Sequence, residues 1–332
     1  MRSRLFLVLL LAVVVAGGTV FAAGGAESRA PGAVRTMRLA TNHTEGTHAS
    51  LGYELFARRV NELTDGEIQI NIFYNSVLGS SREVMEQAQS GALDMTHISA
   101  GFVSAFVPVY DVFSVPYIFR SHEHYWNVLK GPIGDDLMAE MEGVGIKQLF
   151  WVDSGARSFY NNVRPIRTPA DLRGMQIRVM GSPVMFETIE LFGATPTATA
   201  FAEVYNALQT RVIDGAENNP ISVTSMQHHE ASRFYSLNEH MRIPDMLLMS
   251  LDLYNTLTPS QRAAFEQAAA EAEDFIREEY ARQESQSLSV IATNTQINEI
   301  DDLTPFIEIT APLHQKLAPQ FGGILERILE TE

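Results

Sequence analysis

Cysteine is absent from the 332-residue chain, and basic residues are scarce. Without cysteine there is no disulfide, thiolate nucleophile, cysteine-bound zinc, iron–sulfur centre or cysteine-linked lipid anchor. Lysine and arginine number 24 against 40 aspartates and glutamates, which gives a formal net charge of −16. Nucleic acids and anionic membranes are bound through a basic face. The composition therefore argues against both as partners.

Catalytic motifs are also missing. The sequence contains neither glycine-rich phosphate loop, GxGxxG or GxxxxGKS/T, and neither HExxH nor GxSxG. Its densest histidine groups are His122-Glu123-His124 and His228-His229. Adjacent residues of a helix point to different faces, so we interpret both groups as surface histidines. We expect no catalytic residue, no metal ion and no cofactor, although the sequence leaves an enzyme open.

The N-terminus has the layout of a secretory signal peptide. Arg2 and Arg4 precede Leu5–Ala16, a run of 12 apolar residues, and small residues follow at a cleavage site. A membrane span needs about 20 apolar residues, so an uncleaved N-terminal anchor is the less favoured alternative. We expect residues 1–22 to be removed on export and residues 23–35 to form a flexible tether. The mature protein would then be soluble in the periplasm.

Strand-like and helix-like segments alternate after residue 36. Strands are predicted where apolar and polar residues alternate, and helices where apolar residues recur every three to four positions. The predicted strands are Met37–Thr41, Glu67–Phe73, Leu93–Ile98, Ile146–Val152 and Met175–Met180. The predicted helices are His48–Leu63, Ser81–Ser90, Pro183–Leu191, Phe201–Thr210 and Leu313–Leu329. This alternation indicates an α/β fold with mainly parallel sheets.

A short pattern recurs in the two halves of the chain. Its members are Glu83, Val84, Gln89 and Asp94, repeated 120 positions later as Glu203, Val204, Gln209 and Asp214. Chance similarity between two amphipathic helices is the alternative, but the repeat favours two similar lobes over one large sheet. We place the first lobe at residues 36–154 plus about 245–283, and the second at 155–244 plus about 284–332.

The longest predicted helix begins at Thr258-Pro259-Ser260-Gln261, a capping box with proline at the first helical position. From there to about residue 290 the chain has no glycine or proline, so the helix would be about 48 Å long. A lobe of about 130 residues is only about 30 Å across. We therefore expect a strut that spans both lobes, with a dimerisation coiled coil as the alternative.

Arginines cluster locally in this acidic chain. Those between residues 157 and 178 are Arg157, Arg164, Arg167, Arg173 and Arg178. Arg178 lies on a predicted strand between Ile177 and Val179, where a charge is costly to bury unless it is paired. It is an exposed edge residue, half of an ion pair, or an anion-binding group, since a guanidinium matches a carboxylate with two parallel hydrogen bonds. We expect Arg164 and Arg167 on the surface.

Several motifs in a fixed order carry a family resemblance. They are Leu78–Glu83, Val115–Phe119, Gly155–Ser158, Asp171–Val179, Gly193–Thr197, Glu203–Thr210 and Asp214–Asn218. On these motifs the chain resembles the solute-binding proteins of TRAP (tripartite ATP-independent periplasmic) transporters, in the C4-dicarboxylate-binding-protein-like family. The similarity covers nearly all of residues 37–290. It implies a periplasmic-binding-protein-like fold, with two lobes that close over a ligand in a central cleft.

The resemblance also implies a set of ligand-binding residues. The matching positions are Arg178, Arg157, Asn218, Asn42, Ser99 and Phe201. Arg178 would bind the ligand's carboxylate, and Arg157 would be a second anionic contact. Sialic-acid-binding members carry an acidic residue at the position of Ser99 and an arginine at that of Phe102. The resemblance therefore argues against sialic acid.

Three segments look like the branch of the family that takes sugar acids. They are Asn42–Glu45, Trp151–Arg157 and Glu217–Pro220. Glu45 and Asp153 would accept hydrogen bonds from sugar hydroxyls, or else serve as a helix N-terminal charge and a turn residue. A hexuronate such as glucuronate or galacturonate is the preferred ligand. A C4-dicarboxylate or a 2-oxo or 2-hydroxy acid is the alternative.

Three functional hypotheses follow. The resemblance implies a receptor that delivers a small organic acid to the membrane subunits of a TRAP transporter, and we expect it to be a monomer. An exported hydrolase or lyase acting on an acidic sugar is the competing hypothesis from another class. A sensor or scaffold that binds a partner is the third. The lack of a catalytic motif favours the receptor.

Overall fold

A computed structural model describes residues 34–332 of the protein. The predicted signal peptide and nearly all of the predicted tether lie outside these residues. Arg35, which we had assigned to the tether, is instead the first residue of a strand. Within residues 34–332, no helix combines the length and the apolar character that a membrane crossing requires.

Strands and helices alternate along most of the described chain. The strands are β1 (Arg35–Ala40), β2 (Ile68–Phe73), β3 (Met95–Ser99), β4 (Ile146–Val152), β5 (Arg157–Asn161), β6 (Gln176–Val179), β7 (Thr195–Ala198), β8 (Gly215–Asn218), β9 (Phe234–Met241), β10 (Asp245–Ser250) and β11 (Gln296–Glu299). The helices are α1 (His48–Leu63), α2 (Ser81–Gln89), α3 (Ala100–Val103), α4 (His122–Leu129), α5 (Pro132–Glu140), α6 (Pro183–Leu191), α7 (Val204–Gln209), α8 (Pro220–Ser225), α9 (Leu251–Asn255), α10 (Pro259–Asn294), α11 (Thr304–Leu317) and α12 (Ile324–Glu330).

The strands form two mixed sheets. The first has the order β2-β1-β3-β10-β4, and the second β11-β9-β5-β8-β6-β7. In the first sheet β10 is antiparallel to both of its neighbours, β3 and β4. In the second sheet β5 is antiparallel to both of its neighbours, β8 and β9. All other strand pairs of the two sheets are parallel. The prediction of mainly parallel sheets is therefore only partly right. The chain passes between the sheets from β4 to β5 and from β9 to β10, and β5 and β10 enter their sheets against the direction of their neighbours.

The two sheets draw on separate parts of the chain. Strands of the first come from residues 35–152 and 245–250, and strands of the second from 157–241 and 296–299. The predicted lobe boundaries stay a prediction. The C-terminal α12 packs on α5, and the His124 imidazole is hydrogen-bonded to the Ile328 carbonyl at 2.9 Å. The C-terminal end of the chain therefore contacts α4 and α5, which lie before the passage from β4 to β5 in the sequence.

Helix α1 shows how the sequence specifies its packing. Thr47 caps its N-terminus by accepting a hydrogen bond from the Ser50 amide, and most of its apolar residues at helical spacing are fully buried. Gly52 lies where α10 crosses, and a Cβ atom there would overlap with the Ile276 side chain. The absence of a side chain at Gly52 thus allows the two helices to approach closely.

Helix α10 is the predicted strut. Its 36 residues correspond to about 54 Å, and Thr258 and Gln261 form the expected capping box. The helix packs on α1 beside the first sheet and on α8 beside the second, which confirms that it spans both. Tyr280 lies between these contacts, against Gly155 in the first crossing segment. Gly155 has a φ of +57°, and a Cβ there would overlap with the Tyr280 hydroxyl.

Two sequence-based expectations differ from the structure. The predicted helix Leu313–Leu329 is two helices, because Gly322 and Gly323 have φ values of +55° and +87° and end the helical path. The histidines expected on the surface are mostly buried, with relative exposures of 3% at His124, 0% at His228 and 6% at His229. Their rings have protein partners, such as the Tyr160 hydroxyl at 2.8 Å from His228 Nδ1.

Candidate functional site

A polar cavity lies between the two sheets, near the carboxyl ends of β1, β3, β6 and β8. Carboxyl ends of strands are the usual location of ligand sites in open α/β sheets. The cavity contains about 380 Å³ of space between atoms, including the open solvent at its mouth. Its lining residues are Asn42, His43, His97, Ser99, Phe102, Arg157, Arg178, Met180, Phe201, Asn218, Asn219, Ser222 and Asp245.

Arg178 provides a buried positive charge in this cavity. Its neighbours Ile177 and Val179 are fully buried, and Arg178 itself is only 1% exposed. Nε and Nη2 both donate to the Thr199 carbonyl, at 3.0 and 2.8 Å. Burial lowers the pKa of Arg178, and no carboxylate within residues 34–332 forms a salt bridge with it. The structure therefore excludes the exposed edge and the ion pair, and it leaves a guanidinium suited to an anionic ligand.

Arg157 lines the same cavity but its charge is compensated. Nε and Nη2 donate to the two carboxylate oxygens of Glu217, at 2.5 and 2.9 Å. Both side chains are buried. Burial acts to lower the pKa of Arg157, but Glu217 brings it above its ordinary value. Arg157 is therefore half of a bidentate ion pair that lines the cavity, and its role as a second contact to an anionic ligand stays a prediction.

Asn218 follows Glu217 at the end of β8. Its side-chain oxygen Oδ1 accepts a hydrogen bond from the Asn219 backbone amide at 2.9 Å. The Asn219 side chain in turn caps α8 by accepting from the Ser222 amide at 2.8 Å. These contacts leave the Asn218 side-chain amide nitrogen as a neutral donor beside the cavity.

The first sheet contributes a different set of groups, which sequence reasoning missed. His43 follows β1, His97 lies on β3, and Asp245 begins β10. Asp245 Oδ2 accepts from the Ser154 hydroxyl at 2.5 Å and lies 3.7 Å from His43 Nε2 and 3.6 Å from His97 Nε2. The available signal was His43 beside the predicted Asn42; nothing local marks His97 or Asp245.

The protonation states of this group follow from its surroundings. Burial lowers the pKa of His97 to about 3, so its ring is neutral at neutral pH. Burial acts to raise the pKa of Asp245, but the neighbouring His97, His43 and Ser154 bring it well below its usual range. The Tyr53 hydroxyl lies 2.5 Å from His97 Nδ1 and fixes the ring. The first-sheet wall therefore presents an ionised carboxylate beside a neutral imidazole.

The remaining expected residues fall into two groups. Asn42, Ser99 and Phe201 line the cavity with Arg178, as expected. Glu45 is exposed and lies in a separate groove formed with α8 and α10. Asp153 is fully buried, and its carboxylate binds the His122 ring at 2.6 Å, with further bonds from Trp126 and the Gly155 amide. The structure thus does not bring either proposed hydroxyl acceptor, Glu45 or Asp153, to the cavity.

These features define a class of protein: a two-sheet α/β binding protein whose cavity places a buried guanidinium beside polar donors and acceptors. The particular family follows from comparison with known proteins. The family model DctP, bacterial extracellular solute-binding protein, family 7, matches residues 39–320. The chain belongs to this family. It is accordingly a receptor that binds small solutes outside the cytoplasm, and not an enzyme.

Relatives and solved structures agree with this assignment. The uncharacterised protein YiiZ of Salmonella typhimurium is 38% identical over 276 residues, 82% of this chain and 84% of YiiZ. A TRAP periplasmic solute-binding protein from Roseobacter denitrificans, solved with bound β-D-glucuronate, is 36% identical, with a TM-score of 0.87 over 90% of this chain and 100% of its own. One from Sulfitobacter sp., solved with bound β-D-galacturonate, is 36% identical, with a TM-score of 0.86 over the same shares.

Proposed function

We propose that this protein is the extracytoplasmic receptor of a TRAP transporter and that it binds a hexuronate such as glucuronate or galacturonate. The observation that carries the proposal is Arg178, a buried guanidinium with a carbonyl partner and, among residues 34–332, no carboxylate partner. A ligand carboxylate would satisfy its charge through a planar, two-bond contact. The similar structures with bound glucuronate and galacturonate support the choice of ligand.

Charge favours a monocarboxylate over a dicarboxylate. Arg157 is paired with Glu217, whereas Arg178 has only the Thr199 carbonyl as a hydrogen-bond partner within residues 34–332. A bound monocarboxylate adds one negative charge, which Arg178 contacts directly. A second carboxylate would need a second available cation, because desolvating an unpaired ion is costly. Arg157 is engaged by Glu217, so we place C4-dicarboxylates second.

Calorimetry with the mature chain tests this proposal. D-glucuronate, D-galacturonate and succinate would be titrated under the same buffer and salt. We expect uronate affinity near micromolar, about −8 kcal/mol, and succinate binding at least about tenfold weaker. Tighter binding of succinate than of both uronates would refute the ligand assignment. Recovery of unaltered uronate after incubation would separate the receptor from the alternative of an exported enzyme.

Export, assembly and partners belong to the same proposal. We propose that the signal peptide 1–22 is removed, that the receptor is a monomer, and that it delivers its ligand to two membrane subunits. The Arg2 and Arg4 layout and the family support export. N-terminal sequencing of periplasmic material that returned Met1 would contradict removal of the peptide. Sedimentation would test the monomer, and co-purification with the two membrane subunits of a TRAP transporter would test the partners.

A further inference from the structure

The carboxylate of Asp245 is buried with few partners. Asp245 is 8% exposed, and the Ser154 hydroxyl is its one hydrogen-bond donor within residues 34–332. His43 Nε2 and His97 Nε2, at 3.7 and 3.6 Å, lie beyond hydrogen-bond distance. An ionised carboxylate can accept about four hydrogen bonds, and a buried one is costly without them. Asp245 therefore has acceptor capacity left for a ligand in the cavity.

The two imidazoles beside Asp245 also have unused capacity. His43 Nε2 is buried and has no hydrogen-bond partner within residues 34–332, and the His43 side chain is only 10% exposed. His97 is held at Nδ1 by Tyr53, which leaves Nε2 facing the same group of atoms. Each of the three residues comes from a different segment of the first sheet, and all three line the cavity. The tertiary fold thus brings the three side chains together at this cavity.

We propose that His43, His97 and Asp245 form a hydroxyl-binding subsite, which recognises adjacent hydroxyl groups of a polyhydroxy acid held by Arg178. This inference rests on the proposed function and deepens it. A hydroxyl both donates and accepts, so it can donate to Asp245 while accepting from an imidazole N–H. A carboxylate at the same place would only accept and would meet the negative charge of Asp245. The subsite therefore selects sugar acids against dicarboxylates and against acids without hydroxyls.

A metal ion is the competing occupant of these three residues. Their ligand atoms lie within 4.8 Å of one another, and two histidines with an aspartate are a familiar donor set. Tetrahedral ligands at about 2.0–2.1 Å from zinc are about 3.3 Å apart, whereas the oxygen–nitrogen distances here are 3.6 and 3.7 Å. All three residues line the cavity that also contains Arg178, where a sugar acid bound through its carboxylate brings hydroxyl groups. We therefore favour the hydroxyl and make the metal an outcome of the test.

The experiment compares ligands with and without hydroxyls on matched variants. Calorimetry would use D-glucuronate, D-gluconate and cyclohexanecarboxylate with the wild type, Asp245→Asn, and the exposed control Asp252→Asn. Sites built around a hydroxyl reject analogues that lack it by large factors, so wild type should bind glucuronate at least about 100-fold more tightly than cyclohexanecarboxylate. Asp245→Asn should weaken glucuronate at least about 30-fold and leave cyclohexanecarboxylate within about threefold. Asp252→Asn should change neither.

Several results would overturn the subsite. Equal losses for both ligands in Asp245→Asn would indicate a structural role, and equal wild-type affinities for both ligands would remove hydroxyl recognition. Loss of glucuronate binding after chelator treatment, restored by Zn²⁺, would replace the hydroxyl by a metal. If Asp245→Asn does not fold, His43→Phe removes Nε2, a nitrogen without a hydrogen-bond partner in the described part of the chain, and should still weaken glucuronate binding about tenfold. Binding of gluconate without uronates would refute the uronate proposal while the subsite stands.

Discussion

The two walls of the cavity, one formed by the first sheet and one by the second, present different chemical groups to a ligand. The second-sheet wall carries two buried guanidiniums, whereas the first-sheet wall carries imidazoles and the carboxylate of Asp245. A guanidinium only donates hydrogen bonds, while a carboxylate only accepts them and a neutral imidazole does both. A ligand that satisfies both walls needs an anionic group at one end and hydroxyls at the other. The chemical asymmetry of the cavity thus matches that of a sugar acid.

A second contrast lies within the second-sheet wall. Arg157 and Arg178 are both buried, but Glu217 compensates only Arg157. The overall charge of −16 repels an anion, and salt screens that repulsion over about 8–10 Å. Recognition must then rest on short, desolvated contacts. Identical residue types in one cavity therefore have different roles, decided by whether a protein carboxylate already occupies the guanidinium.

The largest expected effect comes from removing that difference. Glu217→Gln leaves Arg157 buried without its counter-charge, and breaking a buried pair in this way costs about 3–5 kcal/mol of folding stability. It also frees a second cation in the cavity. We expect a lower urea midpoint together with a relative gain for succinate over glucuronate. A variant that loses stability but keeps the wild-type selectivity would show that Arg157 does not control the ligand's charge.

Substitutions of Arg178 test whether this guanidinium, which has no carboxylate partner within residues 34–332, binds the ligand. Truncating one member of a buried charge pair costs about 2–5 kcal/mol, so Arg178→Ala should weaken uronate binding by a factor of roughly 30 to several thousand. Arg178→Lys should also fail, because an ammonium lacks the planar fork. Calorimetry with glucuronate measures both variants.

The matched controls for Arg178 lie nearby on the surface. Arg164 is exposed and bonds the Asp171 and Arg173 carbonyls, and Arg167 is also exposed. Alanine at either position should leave uronate affinity within about threefold. Near-wild-type affinity for Arg178→Lys would remove the bidentate contact. Equal losses at all three arginines would indicate a diffuse electrostatic patch.

Sequence patterns predicted what depends on near neighbours in the chain. Helices α1 and α10 were recognisable from apolar spacing and a capping box, and Arg178 from a charge between two apolar strand residues. The ion pair that compensates the charge of Arg157 could not be recognised in this way, because Glu217 lies 60 positions away and reaches Arg157 through strand pairing. Asp245 reaches the cavity because β10 pairs Asp245 with Ser99. Such non-local register carries no short sequence signal.

Buried histidines in both parts of the molecule give a smaller effect, a dependence of folding stability on pH. Burial lowers the pKa of His97 in the first sheet and of His228 near Arg178 to about 3, against an ordinary value near 6.5. Below about pH 6.5 the unfolded chain binds protons that the folded chain does not, so stability falls as pH decreases. From pH 7 to pH 5 each such histidine should cost about 2 kcal/mol.

Urea unfolding at pH 7, 6 and 5 measures that dependence. The free energy of unfolding of His228→Gln should depend less on pH than that of the wild type, because up to about one proton fewer is bound on unfolding. A variant with the wild-type slope would show that His228 is not the responsible group. An unchanged wild-type stability over this range would mean that the buried rings accept protons in the folded state.

Closure of the cavity is the smallest expected change, and it tests whether the two walls act on one ligand. Only a closed arrangement lets a single molecule contact Arg178 on one wall and Asp245 on the other, so the ligand should favour that arrangement. Small-angle scattering should give a smaller radius of gyration with saturating glucuronate than without it, from a value of about 20 Å for a compact chain of this length. Arg178→Ala at the same glucuronate concentration should not compact. An unchanged wild-type radius under saturation would count against hinge closure while leaving binding itself intact, because both walls would then already be in place before the ligand arrives.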